Sequence, residues 1–195
     1  GMRLRVTRYG EPVLRQPGQT VTDFGDALHQ LVIDMKETMY AEEGVGLAAQ
    51  QVGKNLQVCI VDVSHLPSEE LEYQLDGLRQ PIDLIMPITL VNPELVELPG
   101  RVIPGEEGCL SFPGIRGDVP RAEAIDVRFQ DPDGREHFLH CRGWFARVVQ
   151  HEVDHLHGRL FIDRMNKRQL RQLQGPLRQL ENETRKGLEP ASRNL

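Results

Sequence analysis

Gln150-His151-Glu152-Val153-Asp154-His155 sits inside a run, Trp144 to Leu156, that follows Gly143 and stops at Gly158. Read as a helix, this run puts His151 and His155 at i and i+4, one above the other, so both imidazoles reach one cation. Glu152 projects beside them, where a carboxylate can take a proton from water on that cation. The plain alternative is a polar helix face carrying surface histidines. A catalytic metal usually takes three protein ligands and keeps a position for water, so a third donor is needed. Downstream, His157 faces away, and Glu181 and Glu183 lie in a basic tail. The search turns upstream, to Glu107-Gly108-Cys109-Leu110-Ser111, where the Cys109 thiolate suits a borderline-soft divalent cation. Cys141, beside His140, is its rival on the residues alone. Cys59 lies in an apolar strand run and reads as core.

Around this centre the chain reads as α+β: short antiparallel strands and hairpins packed around the metal-binding helix, with an N-terminal helix. Leu28, Leu31, Val32, Met35 and Met39 mark one apolar face of a helix over about 23–41. Residues 44–51 are too glycine-rich for an ordinary strand. Leu56–Val63 reads as a buried strand, and 64–82 as a long surface loop or insertion. Further strands are expected at Ile85–Asn92 and Leu95–Leu98. Ala124–Gln130, the Asp131-Pro132-Asp133-Gly134 turn and Arg135–Cys141 give the clearest hairpin signal. From Arg164 onward the chain is basic, and Gly175-Pro176 argues against one continuous helix.

Composition excludes several classes. A length of 195 residues fits one domain, taken as 2–195 with Gly1 read as a tag remnant and about 165–195 as a basic C-terminal tail. A net charge of -6 argues against a duplex-coating protein, so no DNA partner is expected. No apolar run approaches the roughly 18 residues of a membrane helix, and no secretory signal is visible. Three widely spaced cysteines make no disulfide framework.

Three segments together resemble the peptide deformylase family. Gly44-Val45-Gly46-Leu47-Ala48-Ala49-Gln50-Gln51 matches its motif G-x-G-x-A-A-x-Q, Glu107 to Ser111 its motif E-G-C-L-S, and Gln150 to His155 its motif Q-H-E-x-D-H. The approach through Gly143-Trp144-Phe145-Ala146-Arg147 and the longer 64–90 region look closer to the mitochondrial-type branch. With no transit peptide ahead, a bacterial, cytoplasmic member of that branch is expected.

The resemblance implies a metallohydrolase that removes the N-formyl group from the N-terminal formylmethionine of new polypeptides and releases formate. It implies Cys109, His151 and His155 as ligands. Ligand chemistry alone suggests zinc; the resemblance implies ferrous iron in the cell, with Zn2+, Ni2+ or Co2+ able to substitute. Glu152 would move the proton, while the Gln51 amide and the Leu110 backbone N–H would stabilise the oxyanion. Gly44, Val45, Gly46, Gly108 and Arg116 fall where the family meets its substrate chain, and the two motif glycines suit an extended peptide adding like a strand. Helical spacing puts Trp144 and Val148 on the face of His151 and His155, where they are expected to line the methionine side-chain pocket. Formylated nascent polypeptides are the implied partners, with the ribosome a candidate contact for the basic tail. Two other readings stand beside this one: a metallopeptidase cutting internal bonds, and a non-catalytic member whose metal holds the fold.

Overall fold

The computed structural model describes residues 1–188. Five helices, α1 (Asp26–Ala41), α2 (Ile82–Ile85), α3 (Gly143–Leu156), α4 (Lys167–Gln172) and α5 (Gln174–Gly187), accompany eight strands among the described residues. The strands are β1 (Gly46–Ala48), β2 (Val58–Val61), β3 (Tyr73–Leu75), β4 (Ile88–Glu97), β5 (Val102–Gly108), β6 (Arg116–Ala122), β7 (Ala124–Gln130) and β8 (Glu136–Arg142). Six form an antiparallel sheet in the order β1-β2-β4-β7-β8-β3, and β5 and β6 form a separate hairpin.

Strand β2 shows why its sequence is continuously apolar. Val58 and Ile60 pack with Leu28, Val32, Met35 and Met39 of α1. Their neighbours Cys59 and Val61 join the other core cluster, with Phe145, Val149 and Val153 of α3. Both faces are covered, so alternation disappears. A third cluster gathers Leu14, Phe112, Val119 and Phe161 under Leu177 and Leu180 of α5.

The β7–β8 hairpin and α3 lie where their patterns place them. The first helix starts later than expected, at Asp26, because Asp23 Oδ1 accepts from the Gly25 N–H and holds that segment in a turn. The two strands expected over 85–98 are one strand, β4, kinked at Asn92 and preceded by the helical turn α2. Asn92 has a φ of +51° and exchanges hydrogen bonds with Val21, which holds the kink.

The 64–82 segment is not simply a surface loop. Leu71 and Tyr73 are buried, and β3 pairs with β8 at the sheet edge. Asp76-Gly77, both at positive φ, turn the chain back. A three-residue strand is too short to show periodicity. Hairpin β5–β6 also escapes pattern reading, because Pro104 and Pro120 face each other across it. Proline demotes a segment as a strand, yet is tolerated in a two-stranded ribbon whose every strand is an edge.

The basic segment folds as α4 and α5 rather than trailing as a tail. Asn166 caps α4 by accepting from the Gln169 N–H. Gly175-Pro176 opens α5, in the first turn, where proline's missing N–H costs nothing. Residues 189–195 of the expected tail lie outside the described residues.

Candidate active site

Helix α3 is buried along nearly its whole length, from Phe145 to Leu156. His151 and His155 stack one turn apart with ring centroids 5.2 Å apart. Cys109 follows the end of β5, and its Sγ lies 3.5 Å from His155 Nε2. Ligating atoms of Cys109, His151 and His155 all fall within 4.8 Å of one another. The rival Cys141 is enclosed in the sheet core opposite Tyr73 and Ile125, and Cys59 is equally buried.

The first motif reaches the same place. Gln51 Oε1 accepts from the Ala48 N–H at 3.0 Å, which turns Nε2 towards Cys109 Sγ at 3.4 Å and Ser111 Oγ at 3.2 Å. A Cβ at Gly46 would lie 2.8 Å from Cδ of Glu152 and closer still to its carboxylate oxygen, so only glycine leaves room for that carboxylate. Gly44 is similarly bare against the Leu110 side chain, and Gly108 against the Arg116 guanidinium. The cleft has a volume of about 630 Å³, and its walls include Val45, Leu110, Arg116, Trp144 and Val148 beside His151 and Glu152. Trp144 is 38% exposed at its mouth, whereas Val148 is buried.

Electrostatics set the two imidazoles apart. His151 Nδ1 donates to Glu107 Oε1 at 2.8 Å, which leaves Nε2 as the ring's lone-pair nitrogen. Burial pushes His155 well below its ordinary value and keeps it neutral. Its buried Nδ1 has no hydrogen-bond partner among the described residues. Burial pushes the Glu152 carboxyl up to about 7, and its Oε1 likewise has no partner. A thiol and two imidazoles, with buried polar atoms left unpaired around them, fit a borderline-soft divalent cation.

Behind the site runs a buried ionic network that motif reading overlooked. Glu107 accepts two hydrogen bonds from Arg121, at 2.9 Å each, and one from Arg147 at 2.7 Å. Burial opposes the charged form, but hydrogen bonds from Arg121 and His151 hold Glu107 well below the usual carboxylate range. Arg121 also donates to Asp154 at 2.6 Å, and Asp154 accepts from Arg164 at 2.9 Å. Asp154, to which the residues alone assign no definite role, thus ties α3 to β6 and to the segment after α3. Gln150 does the same work for Ala122, exchanging hydrogen bonds with its backbone N–H and C=O. The available signal was position: Glu107, Gln150 and Asp154 all belong to the quoted motifs.

Comparison with known proteins agrees with this geometry. Residues 3–171 match the family model described as polypeptide deformylase. A peptide deformylase of Opitutus terrae is 52% identical over 170 residues, covering 86% of this chain and 87% of that protein. Peptide deformylase 1B of Arabidopsis thaliana, solved with an inhibitor, superimposes with a TM-score of 0.81 at 32% identity, over 95% of this chain and 94% of that one. The Thermotoga maritima enzyme gives a TM-score of 0.72 at 36% identity, over 85% and 99%. The chain therefore belongs to the polypeptide deformylase family, whose members remove the N-formyl group from nascent polypeptides.

Proposed function

We propose that this chain hydrolyses the formyl–amine bond of N-terminal formylmethionine through Glu152, Gln51 and Leu110, around a cation held by Cys109, His151 and His155. The observation that carries the reading is the meeting of three distant motifs in one cleft: Gln51 Nε2 and His155 Nε2 both lie within 3.5 Å of Cys109 Sγ. When bound, the cation supplies Lewis acidity and a lowered pKa for water. Ferrous iron is the proposed metal in the cell.

Glu152 takes a proton from the attacking water and later returns one to the leaving amine. A carboxyl pushed up by burial is matched to both halves of that task. The Gln51 amide, locked by Ala48, and the Leu110 backbone N–H donate to the oxyanion as it forms. Strand β1 is the outer strand of its sheet, so an extended substrate can add along it beside Gly44, Val45 and Gly46. Gly108 and Arg116 flank the peptide on the other wall. The methionine side chain enters towards Val148 and Trp144. Basic residues of α4 and α5, among them Arg171, Arg178 and Arg185, are the proposed ribosome-facing surface of a cytoplasmic enzyme.

The test is formate release from formyl-Met-Ala by protein prepared without oxygen and loaded with ferrous iron. Glu152→Ala should lower turnover by about 10²-fold or more while metal stays bound. Turnover retained by that variant would remove Glu152 from its role. Cleavage of an unformylated peptide would favour the peptidase reading, and bound metal with no hydrolysis a structural one.

A further inference from the structure

Arg147 lies on α3 one turn before His151, and it is 7% exposed. Its Nη1 donates to Glu107 Oε2 at 2.7 Å and to the Val119 carbonyl at 2.8 Å, and its Nη2 donates to the Ile103 carbonyl at 2.6 Å. Ile103 is on β5 and Val119 on β6, so one guanidinium holds both strands of the hairpin against the helix. The backbone makes room for it. Gly105 pairs with Val119, and a Cβ at Gly105 would lie 2.8 Å from Arg147 Cζ and 2.9 Å from Nε. Gly105 keeps a negative φ, so the missing side chain answers to this contact rather than to backbone conformation. Two residues beyond Gly105 comes Glu107, and two beyond that Cys109.

Helix α3 carries two of the proposed ligands and β5 leads into the third. No covalent or local constraint sets the distance between them. We propose that Arg147, seated on Gly105, is the positioning residue that docks the Cys109 hairpin onto the histidine helix, and that metal affinity depends on this pair. A planar fork with donors in fixed directions suits two carbonyls and a carboxylate at once, which an ammonium does not. The inference rests on the reading of Cys109, His151 and His155 as ligands.

Cobalt(II) is the probe, because a thiolate-to-cobalt charge-transfer band reports Cys109 directly and chelator competition gives the affinity. Gly105→Ala should weaken cobalt binding about tenfold or more and diminish the thiolate band, with far-UV circular dichroism unchanged. Arg147→Met should do the same, and Arg147→Lys should recover only part of the loss. In an Arg147→Ala background, Gly105→Ala should cost less than about twofold, because the atoms it would strike are gone. Equal losses in the two backgrounds would overturn the proposal. So would unchanged affinity and band in Gly105→Ala, which decides the matter by itself if the Arg147 variants do not fold. An unsubstituted protein that binds cobalt without a thiolate band would instead overturn the ligand assignment, and this inference with it.

Discussion

Helix α3 carries two of the proposed ligands and hairpin β5–β6 leads into the third, and the two do so by different physics. On α3, 3.6-residue periodicity alone stacks His151 over His155 and sets Glu152 beside them. On the hairpin nothing local aims Cys109. Buried polar contacts link the two elements: Glu107 with Arg121, Arg147 and His151, and Asp154 with Arg121. Such buried pairs contribute little net stability over apolar packing, yet losing one partner strands the other in a poorly solvating interior. The helix half of the site should therefore tolerate changes in its surroundings, while the hairpin half should fail when one charge is removed.

The most severe way to break that contrast is Glu107→Ala. It leaves Arg121 and Arg147 buried without their carboxylate and His151 without its acceptor. Destabilisation of about 3 kcal/mol or more is expected by urea denaturation, with metal affinity down about 10–100-fold. A variant as stable and as metal-retentive as the parent would show that the network does not position the hairpin.

Gly46→Ala sharpens the contrast from the helix side. The added methyl meets the Glu152 side chain first and drives its carboxylate out of place. Turnover should fall about 10²-fold while metal content stays stoichiometric, since a misplacement of about 1 Å costs that much. Metal loss equal to the loss of rate would mean that Glu152 and the ligands move as one unit.

The smallest effect comes from a partly exposed relative of the buried network. His137 bridges Asp76, in the turn after β3, and Asp131, in the β7–β8 turn. Burial works against the imidazolium, but the hydrogen bonds it donates to the two aspartates raise His137 above its ordinary value. Burial likewise opposes the two carboxylates, whose hydrogen bonds with His137 still lower both. The sign follows from each direction. The histidine's contribution is full below its unfolded pKa and fades as pH rises through the folded one. The aspartates' contribution is full above the ordinary carboxylate range and fades as pH falls. His137→Asn should thus cost about 1 kcal/mol or less at pH 5.5 and less again at pH 9, read from melting temperatures. An equal cost at both values would mean that packing on Phe129, and not charge, explains the contact.

How much of this was legible follows the same division. Patterns with a short period could be read directly: the α1 face, the β7–β8 hairpin and the α3 motif all appear where their spacing puts them. Strand β3 was hidden by its length. Hairpin β5–β6 was hidden by prolines and glycines that are tolerated because its strands pair only with each other. At the site, the residues by themselves left Cys109 and Cys141 both open, and it was the likeness to a family that chose between them. Arg121 belongs to no motif, and Arg147 stands only in the stretch leading into the third one, so nothing short of their contacts marks them as partners of Glu107.

The amino-acid sequence by itself determined the histidine pair and the carboxylate beside it, because helical geometry acts within one turn. Only the tertiary structure decided that Cys109 meets His155 across 46 residues, and that Cys141 is walled into the sheet. That meeting needs charged groups far apart in the chain to be buried together. No local pattern encodes which acid will compensate which base once water is excluded.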